Sequence, residues 1–348
     1  MSWYDTHRRD LPWRRTRDPY RIWVSEIMLQ QTTVRTVLGY YDRFLARFPT
    51  VVELSRSEIP EVLKYWEGLG YYQRAKNLHR AAKIIAQDPV RLKWPLTVEE
   101  WSALPGIGRS TAGAIHSIST DQWAPILDAN VRRVTERLSG LLPDHEKQEK
   151  RLWEASDAWG LRNNRPGDTN QALMELGAVV CLPAAPSCEV CPVSPYCRIG
   201  TKEMALPESS RKGSASSKGR PPVRRRVALV PETGRIHFSP RKEGRLLEGL
   251  LEISGGLFQN LLPGNNVPGG PLTGWRVVRE LFSVRHVYSH FREEVRVLLV
   301  APPVSREEVG LIGTDAGGVW ATRSEADNLA LTGVARKILA KLKEKRVH

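Results

Sequence analysis

The hydrophobic and polar positions of this chain follow two different patterns, and the change comes near residue 200. Before it, apolar residues recur with helical spacing, so residues 19–200 are predicted to be mostly helical. Two stretches show the spacing most clearly, residues 78–85 and the series Val34, Val37, Leu38, Tyr41, Phe44, Leu45 and Phe48. The first part of the chain is therefore predicted to be an all-α region, residues 1–200.

A segment with almost nothing to bury separates the two patterns. The stretch LPESSRKGSASSKGRPP (206–222) contains mainly Ser, Gly, Pro and basic residues, which predicts a flexible linker that we place at 201–222. Beyond it, short runs at Arg226–Val230, Arg235–Phe238 and Val295–Val300 are separated by Gly and Pro. Such runs favour strands, and a basic amphipathic helix is predicted at about 334–345. Residues 223–348 are therefore predicted to form an α+β domain.

The composition of the chain bears on the number of domains, on membrane segments and on the type of binding partner. A length of 348 residues fits about two domains, and the 41% of hydrophobic residues can form an ordinary globular core. No run of eighteen apolar residues occurs, and residues 1–9 lack the apolar core of a signal peptide, so we expect no membrane segment and no secretion signal. A net charge of +14 indicates a polyanionic partner, with nucleic acid first.

All four cysteines fall in one short stretch, Cys181-x6-Cys188-x2-Cys191-x5-Cys197. A tight thiolate quartet without a spare cysteine predicts a metal site in an intracellular protein. Four thiolates suit an iron–sulfur cluster or tetrahedral zinc. Zinc sites usually use two C-x2-4-C pairs, and only one short pair is present, so the spacing favours [4Fe–4S]. Four unrelated buried cysteines remain the alternative.

A glycine-containing turn lies between two predicted helices. Thr97 to Glu100 has the pattern of a capping box and starts a helix that ends near Leu104. Gly106 and Gly108 then flank one apolar residue, and a second helix is predicted over 110–118. Such a turn presents backbone N–H groups and a helix N-terminus, which together bind a DNA phosphate without reading sequence. A plain helix–helix turn is the alternative.

Two carboxylates occupy unusual sequence contexts. Glu26 has Ile22, Trp23, Leu29 and Gln30 as its helical neighbours, and an apolar setting raises a carboxyl pKa, as a general acid requires. Asp128 precedes a helix predicted to run to residue 138. It suits an N-cap, where helix amides would also keep it ionised. One protonated and one ionised carboxyl group is the pair that cleaves glycosidic bonds.

The hairpin, the downstream aspartate and the cysteine spacing together resemble the endonuclease III superfamily of helix–hairpin–helix DNA glycosylases. Within it, the chain resembles the adenine-specific mismatch glycosylases, the MutY family. The matching stretches are LPWR (11–14), SEIMLQQT (25–32), WEGLGYYQRAKNL (66–78), LPGIGRSTAGAI (104–115), LDANVRRV (127–134) and ELGAVVC (175–181). Bifunctional lyases of the superfamily carry a lysine where this chain has Ser110, so the resemblance implies a monofunctional enzyme.

The resemblance also implies catalytic roles at matching positions. Glu26 is expected to protonate N7 of adenine, so that the base leaves neutral, and then to help activate water. Asp128 is expected to stabilise the sugar cation or to trap it covalently. Asn130 and Glu175 are expected to support these two carboxyl groups, and the four cysteines are expected to hold a [4Fe–4S] cluster.

The other matching positions are assigned to the extruded base and the DNA. They are Trp13, Arg14 and Leu29 for the adenine pocket, Gln30, Gln31 and Tyr71 for the stack near the lesion, and Gly106, Gly108 and Ser110 for the hairpin. Tryptophan, leucine and tyrosine at helical spacing are more often core residues, and core packing remains the alternative for them.

Lesion recognition is expected in the second domain, which in the family is Nudix-like. The segment His286-Val-Tyr288-Ser289-His290 resembles the family's H-x-F-S-H loop, with Tyr288 in place of the usual Phe and with Ser289 positioned to hydrogen-bond an oxidised guanine. A turn at a strand edge is the alternative. The glutamate-rich Nudix box is absent from the sequence, so pyrophosphate hydrolysis is not expected.

The predicted architecture is a six-helix barrel at about 16–127, a cluster subdomain from 1–15 and 128–200, the linker, and the Nudix-like domain at 223–348. The expected function is excision of adenine opposite 8-oxoguanine or guanine in double-stranded DNA, by a cytoplasmic, nucleoid-associated monomer. Two alternatives stay open. One is a glycosylase for thymine mismatches or oxidised pyrimidines, and the other is a DNA-binding protein without catalysis.

Overall fold

The computed structural model describes residues 1–141, 148–160, 164–199, 222–241, 247, 250–256, 261–288, 291–303 and 318–345. They divide into two compact units. The helical unit consists of Met1–Ser57 and the described part of Lys76–Ser217, and the β-rich unit of Glu58–Ala75 and the described part of Lys218–His348. Apart from Pro222, the predicted linker lies outside the described residues.

The region before residue 200 is helical, as its apolar spacing predicts. Its α-helices are α1 (Ser2–His7), α2 (Pro19–Leu29), α3 (Val34–Arg47), α4 (Val51–Arg56), α5 (Ile59–Trp66), α6 (Gln73–Ile85), α7 (Val98–Ser102), α8 (Arg109–Thr120), α9 (Ala129–Ser139), α10 (Gln148–Asp157) and α11 (Pro166–Val179). Of these, α5 and the first residues of α6 fall in the β-rich unit.

Side-chain caps and apolar faces explain where these helices form. Asp18 precedes α2 and accepts a hydrogen bond from the backbone N–H of Tyr20 at 2.8 Å, which satisfies a donor that the first helical turn leaves open. On α3, Val37, Tyr41 and Phe44 are buried as predicted, whereas Leu38 is 39% exposed. The predicted apolar face of α3 is therefore confirmed except at its outer edge.

The turn between α7 and α8 has the predicted hairpin form. Gly106 has a φ of 80°, in the left-handed region that favours glycine. A Cβ atom at this position would lie 2.6 Å from Cβ of Asn77, so the packing also requires glycine. The capping box predicted at the start of α7 forms only in part. The side chain of Thr97 accepts from the backbone N–H of Glu100, but the carboxylate of Glu100 accepts from the backbone N–H of Leu96 and not from that of Thr97.

The β-rich unit contains a mixed sheet and a smaller antiparallel sheet. Its strands are β1 (Val223–Pro231), β2 (Ile236–Pro240), β3 (Leu251–Ile253), β4 (Gly255–Gly256), β5 (Arg276–Val287), β6 (Arg292–Ala301) and β7 (Val319–Ala321). The strand orders are β4-β1-β6-β5, in which β1 and β6 run parallel, and β3-β2-β7. The predicted strand runs are thus confirmed in β1, β2 and β6.

Two helices follow the last strand, α12 (Arg323–Ala326) and α13 (Gly333–Glu344). The second corresponds to the predicted basic amphipathic helix. Its apolar face, with Ile338 and Leu342, is buried in one core with Val297 and Phe238. This face explains why a helix with so many lysines is stable, since most helical stability comes from packing an apolar face.

The β-rich unit includes residues 58–75, which the sequence-based boundaries place in the helical region. The physical reason is polar contact with the C-terminal helices: Arg336 binds both carboxylate oxygens of Glu67, at 2.5 and 2.9 Å, and Lys64 donates to Asn328 at 3.2 Å. The predicted boundaries otherwise stay a prediction. In the part of the chain that the structure describes, no helix is long and apolar enough to cross a bilayer.

Candidate active site

A cavity of about 600 Å³ lies within the helical unit. It is lined by residues of α2, α8, α9 and α11 and by the segment that precedes α2. The cavity brings together ten of the residues predicted from the sequence: Trp13, Arg14, Glu26, Leu29, Gln30, Gln31, Ser110, Asp128, Asn130 and Glu175. These residues come from distant parts of the chain, so the fold creates one site from the dispersed motifs.

Glu26 is the carboxyl group with the largest departure from ordinary acidity in this cavity. Its neighbours Ile22, Trp23 and Ile27 on α2 are buried at 2% exposure or less. Burial raises the pKa of Glu26 to about 7, and the negative charge of Asp128 adds to the rise while Arg14 opposes it. Near neutral pH a large share of Glu26 therefore carries a proton that it can donate.

Asp128 is the N-cap of α9. One of its carboxylate oxygens accepts from the backbone N–H of Val131 at 2.7 Å, as the sequence predicts. Burial raises the pKa of Asp128, while hydrogen bonds from the Val131 and Asn130 amides and the charge of Arg133 counter that rise. The helix amides act in the predicted direction, but burial outweighs them.

Glu175 is a third buried carboxylate of the cavity, and it is fully paired. Arg9 binds both of its oxygens, at 2.7 and 2.8 Å, and Arg14 donates to one of them at 2.7 Å. Burial alone would raise the pKa of Glu175, but the two guanidinium groups hold it below its ordinary value. Glu175 is therefore an anion that fixes two arginines at the cavity wall.

Two arginines on α9 connect the Asp128 helix to the chain around the first cysteine. Arg133 donates to the side chain of Asn130 at 2.9 Å and to the backbone oxygens of Gly177 and Cys181 at 2.6 and 2.7 Å. Arg137 donates to the backbone oxygens of Leu182 and Pro183, both at 2.7 Å. The side chain of Asn130 is thus held by an arginine one turn further along the same face of α9.

None of the four cysteines takes part in a disulfide, and their thiols influence one another electrostatically. Burial raises the pKa of Cys188 and of Cys191, and the charges of the other thiols raise both further. Arg137 lies 3.4 Å from the sulfur of Cys181 and would balance part of a thiolate charge. Within the described residues, no group of three or more His, Cys, Asp or Glu side chains is arranged to hold a metal ion.

Other cavity residues have defined contacts. The hydroxyl oxygen of Ser110 accepts from the backbone N–H of Leu127 at 2.9 Å, beside Asp128. Gln30 donates to Thr111 at 3.3 Å. Gln31 has a φ of 55°, which is uncommon for a residue with a side chain and tends to occur at functional sites. Trp13 is both a core residue, edge-on to Tyr41, and part of the cavity wall.

Five described residues of the predicted DNA-binding set do not line this cavity, and neither do the four cysteines. Gly106 and Gly108 form the hairpin turn, as described above. Tyr71 lies in the β-rich unit, is 50% exposed and has a φ of 49°. His286 and Tyr288 also belong to the β-rich unit, and Ser289 lies outside the described residues.

Sequence reasoning missed several cavity residues, namely Arg9, Thr111, Arg133 and Gln171. An arginine at position 9 carries no signal of its own, because its partner Glu175 is 166 residues away. Arg133 was visible only as part of the matching stretch 127–134. Its spacing of three residues from Asn130 places the two side chains one turn apart on the same face of α9.

Comparison with known proteins identifies the superfamily to which the helical region is related. Residues 24–157 match the family described as HhH-GPD superfamily base excision DNA repair protein. A thermostable thymine-DNA glycosylase of known structure is 31% identical, with a TM-score of 0.52, over 58% of this chain and 93% of that protein. The helical fold is therefore that of the HhH-GPD superfamily.

Comparison with curated sequences indicates which members of this superfamily are most similar to the chain among those compared. The adenine DNA glycosylase of Buchnera aphidicola (subsp. Schizaphis graminum) is 41% identical over 200 residues, which are 57% of each chain. The human adenine DNA glycosylase is 39% identical over 252 residues, 68% of this chain and 44% of the human one. Residues 24–157 thus belong to the HhH-GPD superfamily, and within it the chain is similar to adenine DNA glycosylases. It spans about half the length of these curated relatives.

Proposed function

We propose that the chain is a monofunctional DNA glycosylase that removes adenine mispaired with 8-oxoguanine or with guanine. The single observation that supports this most strongly is the pKa of about 7 at Glu26, in a cavity that also holds Asp128. A protonated carboxyl group and a second carboxylate are the groups that cleavage of an N-glycosidic bond through a sugar cation requires.

The reaction follows from the positions of these two groups. An adenine extruded into the cavity takes the proton of Glu26 on N7, and the bond between N9 and C1′ of the deoxyribose breaks. The bonding electrons leave with the base, so adenine departs neutral and C1′ becomes cationic. Asp128 stabilises this cation by its negative charge. Water then attacks C1′ and gives its proton to the Glu26 carboxylate, which restores the acid.

Extrusion has a cost that the cavity must offset. Flipping a paired base requires a few kcal/mol. Trp13 and Leu29 offer apolar surface to the base, and the positive charge of Arg14 is fixed against Glu175. Because this arrangement exists before the base arrives, little reorganisation is needed at the moment of reaction.

Strand cleavage is not part of the proposal. A lyase needs an amine that forms a Schiff base with C1′, and the position after Gly108-Arg109 is Ser110. Its hydroxyl oxygen accepts a backbone hydrogen bond from Leu127. The expected product is therefore an abasic site in an intact strand.

The cysteine quartet and the β-rich unit complete the proposal. We assign a [4Fe–4S] cluster to Cys181, Cys188, Cys191 and Cys197 on the spacing of these four cysteines in the sequence. The cluster would add stability to the loop that Arg133 and Arg137 contact. The β-rich unit, as a Nudix-like domain, would recognise the base opposite adenine through His286, Tyr288 and Ser289.

The proposed partner is double-stranded DNA, bound by a monomer in the cytoplasm at the nucleoid. A net charge of +14 supports a polyanionic partner. The hairpin supports it further, because Gly108 is the N-cap of α8 and leaves the N-terminal amides of that helix without a side-chain cap. These amides suit a phosphate oxygen.

Single-turnover base release tests the proposal. Duplexes that carry A:8-oxoG, A:G or T:G are incubated with excess protein, and Glu26→Gln is the control. Release from both adenine pairs without a strand break is expected, with about 10³-fold lower rates in the variant because a general acid typically contributes that much. A folded protein that releases nothing from either adenine pair would contradict the proposal.

A thymine-mismatch glycosylase is the second candidate, because the thymine-DNA glycosylase of known structure is 31% identical to this chain. The T:G duplex in the same assay separates the two. Release of thymine without release of adenine would favour this second candidate.

A further inference from the structure

One side of α13 carries three lysines at helical spacing. Lys337, Lys341 and Lys345 follow one another at intervals of four residues, and Lys345 is the C-cap of the helix. Residues four apart lie above one another on a helix, so three positive charges line up within about 12 Å. We call these three residues the lysine row.

The lysine row lies along β5, an outer strand of the mixed sheet. Lys341 donates to the backbone oxygen of Ser283 at 3.2 Å. Lys337 donates to the backbone oxygen of Arg285 at 3.5 Å. Residues 283 and 285 are two apart on one strand, so their carbonyl groups point to the same side. The edge of the sheet therefore holds two of the three ammonium groups in place.

An aromatic ring of β5 holds the end of the row. The ammonium groups of Lys341 and Lys345 lie 5.4 and 5.7 Å from the ring centroid of Phe282, close enough for cation–π attraction. The ring and the carbonyl groups are uncharged. They fix the positions of the lysines without balancing their charge.

No member of the lysine row forms an ion pair with a carboxylate of the described residues. Lys343 on the same helix differs, because it lies 3.2 Å from a carboxylate oxygen of Asp327. Like charges four residues apart repel each other and destabilise a helix. Lysines also protect the edge of a sheet from pairing with another chain, but Lys345 binds no backbone oxygen of β5 in this structure. The complete row therefore indicates an anionic ligand.

The surface of the sheet next to the row has an excess of positive charge as well. Glu294 on β6 is shared by Arg225 and Arg285, at 3.5 and 3.1 Å, so two guanidinium groups face one carboxylate. The side chain of Arg285 is 86% exposed, and its backbone oxygen is the acceptor for Lys337. Positive charge thus continues from the lysine row to the neighbouring face of the sheet.

We propose that the lysine row, with Arg285 beside it, binds the phosphate backbone of double-stranded DNA. Cations spread over about 12 Å suit a chain of phosphates better than a single small anion. Each ammonium group has three donors and gives at most one to β5, so the others remain for phosphate oxygens. Because β5 holds the lysines beforehand, less conformational freedom is lost on binding. This inference rests on the proposed function, which names DNA as the partner.

The salt dependence of DNA binding tests the proposal. Dissociation constants for an A:G duplex and a fully paired duplex are measured by fluorescence anisotropy at several salt concentrations. The Glu26→Gln background prevents release of adenine. With one phosphate contact for each lysine, Lys341→Gln makes the slope of log affinity against log salt shallower by about 0.9, and replacing the whole row with glutamine by about 2.7. Both duplexes should lose affinity equally, because phosphate contacts read no sequence.

Two further variants separate a phosphate contact from a change in net charge. Lys343→Gln also removes one positive charge from α13, but that charge is already paired with Asp327. It is expected to change the slope much less than Lys341→Gln does. Lys341→Arg keeps the positive charge and is expected to keep the slope of the parent.

Three results would overturn the inference. A slope that stays at the parent value when the whole row is replaced would exclude phosphate contacts by these lysines. An equal change in Lys343→Gln and Lys341→Gln would show an effect of net charge alone. A larger species on gel filtration of the triple variant, with an unchanged slope, would assign the row to protection of the β5 edge.

Failure of the proposed function gives a different result. A folded parent protein that does not bind either duplex would overturn DNA as the partner, and this inference with it. A parent that binds DNA with the expected salt dependence, together with a triple variant of the same slope, would overturn only the role of the lysine row.

Discussion

Carboxyl groups are buried both in the cavity of the helical unit and in a cluster of charged side chains around Glu293 in the β-rich unit. The surroundings favour the protonated form in the first case and the ionised form in the second. Glu26 faces the cavity from an apolar stretch of α2, and no ion pair of Glu26 occurs within the described residues. Its pKa is raised to about 7. Glu293 is bound by Arg226, Arg241 and Tyr288. The first arrangement yields a proton donor, and the second yields a fixed structural anion.

Glu175 shows that the difference comes from the partners and not from burial itself. It lines the same cavity as Glu26 and has no exposed side-chain surface. Its pKa nevertheless falls below the ordinary value, because Arg9 and Arg14 outweigh the effect of burial. A buried carboxyl group that is paired with arginines thus stays ionised, whereas a buried carboxyl group without such partners keeps its proton near neutral pH.

The same substitution at the two cavity glutamates should have opposite effects on stability. Glu175→Gln leaves Arg9 and Arg14 at the cavity wall without their counter-ion. We expect a loss of about 3 kcal/mol in the free energy of unfolding, near the lower end for a broken buried pair because Arg9 is partly exposed. Urea unfolding monitored by circular dichroism measures it, with the exposed Glu154→Gln as the matched control. A loss no larger than that of the control would contradict the account.

Glu26→Gln should not destabilise the protein above neutral pH. The pKa of Glu26 in the folded chain is about 7, well above the unfolded value, so the wild type loses stability as pH rises from about 4.5 to about 7. Glutamine cannot ionise, so the variant does not lose folding stability over this pH range. At about pH 8 the variant is therefore expected to be at least as stable as the wild type, and a clearly less stable variant would show that Glu26 has a stabilising partner.

A third, smaller effect concerns an exposed charge beside the hairpin. The guanidinium carbon of Arg109 lies 3.9 Å from the ring centroid of Trp153, which itself donates to Glu149 at 3.0 Å. This stacking holds Arg109 at the N-terminus of α8. If it contacts one phosphate, Arg109→Gln lowers the slope of log affinity against log salt by about 0.9.

Fluorescence anisotropy with a duplex at several salt concentrations measures that slope. Lys150→Gln is the control, because Lys150 is exposed and lies 3.8 Å from Glu154. Trp153→Ala keeps the charge of Arg109 and should change the slope less than Arg109→Gln does. An unchanged slope in Arg109→Gln would exclude the phosphate contact.

Local sequence patterns predicted the parts of the site that depend on neighbours along the chain. The apolar neighbours of Glu26 lie within one helical turn, and the N-cap position of Asp128 follows from the helix after it. Both features are present in the structure. Strands β1, β2 and β6 were likewise predicted by short runs between Gly and Pro.

Features that depend on distant partners were not predictable in this way. The pairing of Arg9 with Glu175 spans 166 residues. Alternation along β6 predicts an apolar residue at position 293, and only the positions of Arg226 and Arg241 explain a glutamate there. The net pKa of Asp128 also depends on how deeply the fold buries it, which the sequence around it does not specify.

The pH dependence of adenine release tests the central claim, that Glu26 acts as a protonated general acid. Single-turnover rate constants are measured with an A:G duplex from about pH 5 to about pH 9, at DNA-saturating protein. The account predicts a plateau at low pH and a tenfold fall for each unit above about 7, where Glu26 loses its proton. A rate constant that stays unchanged through the whole range would contradict it.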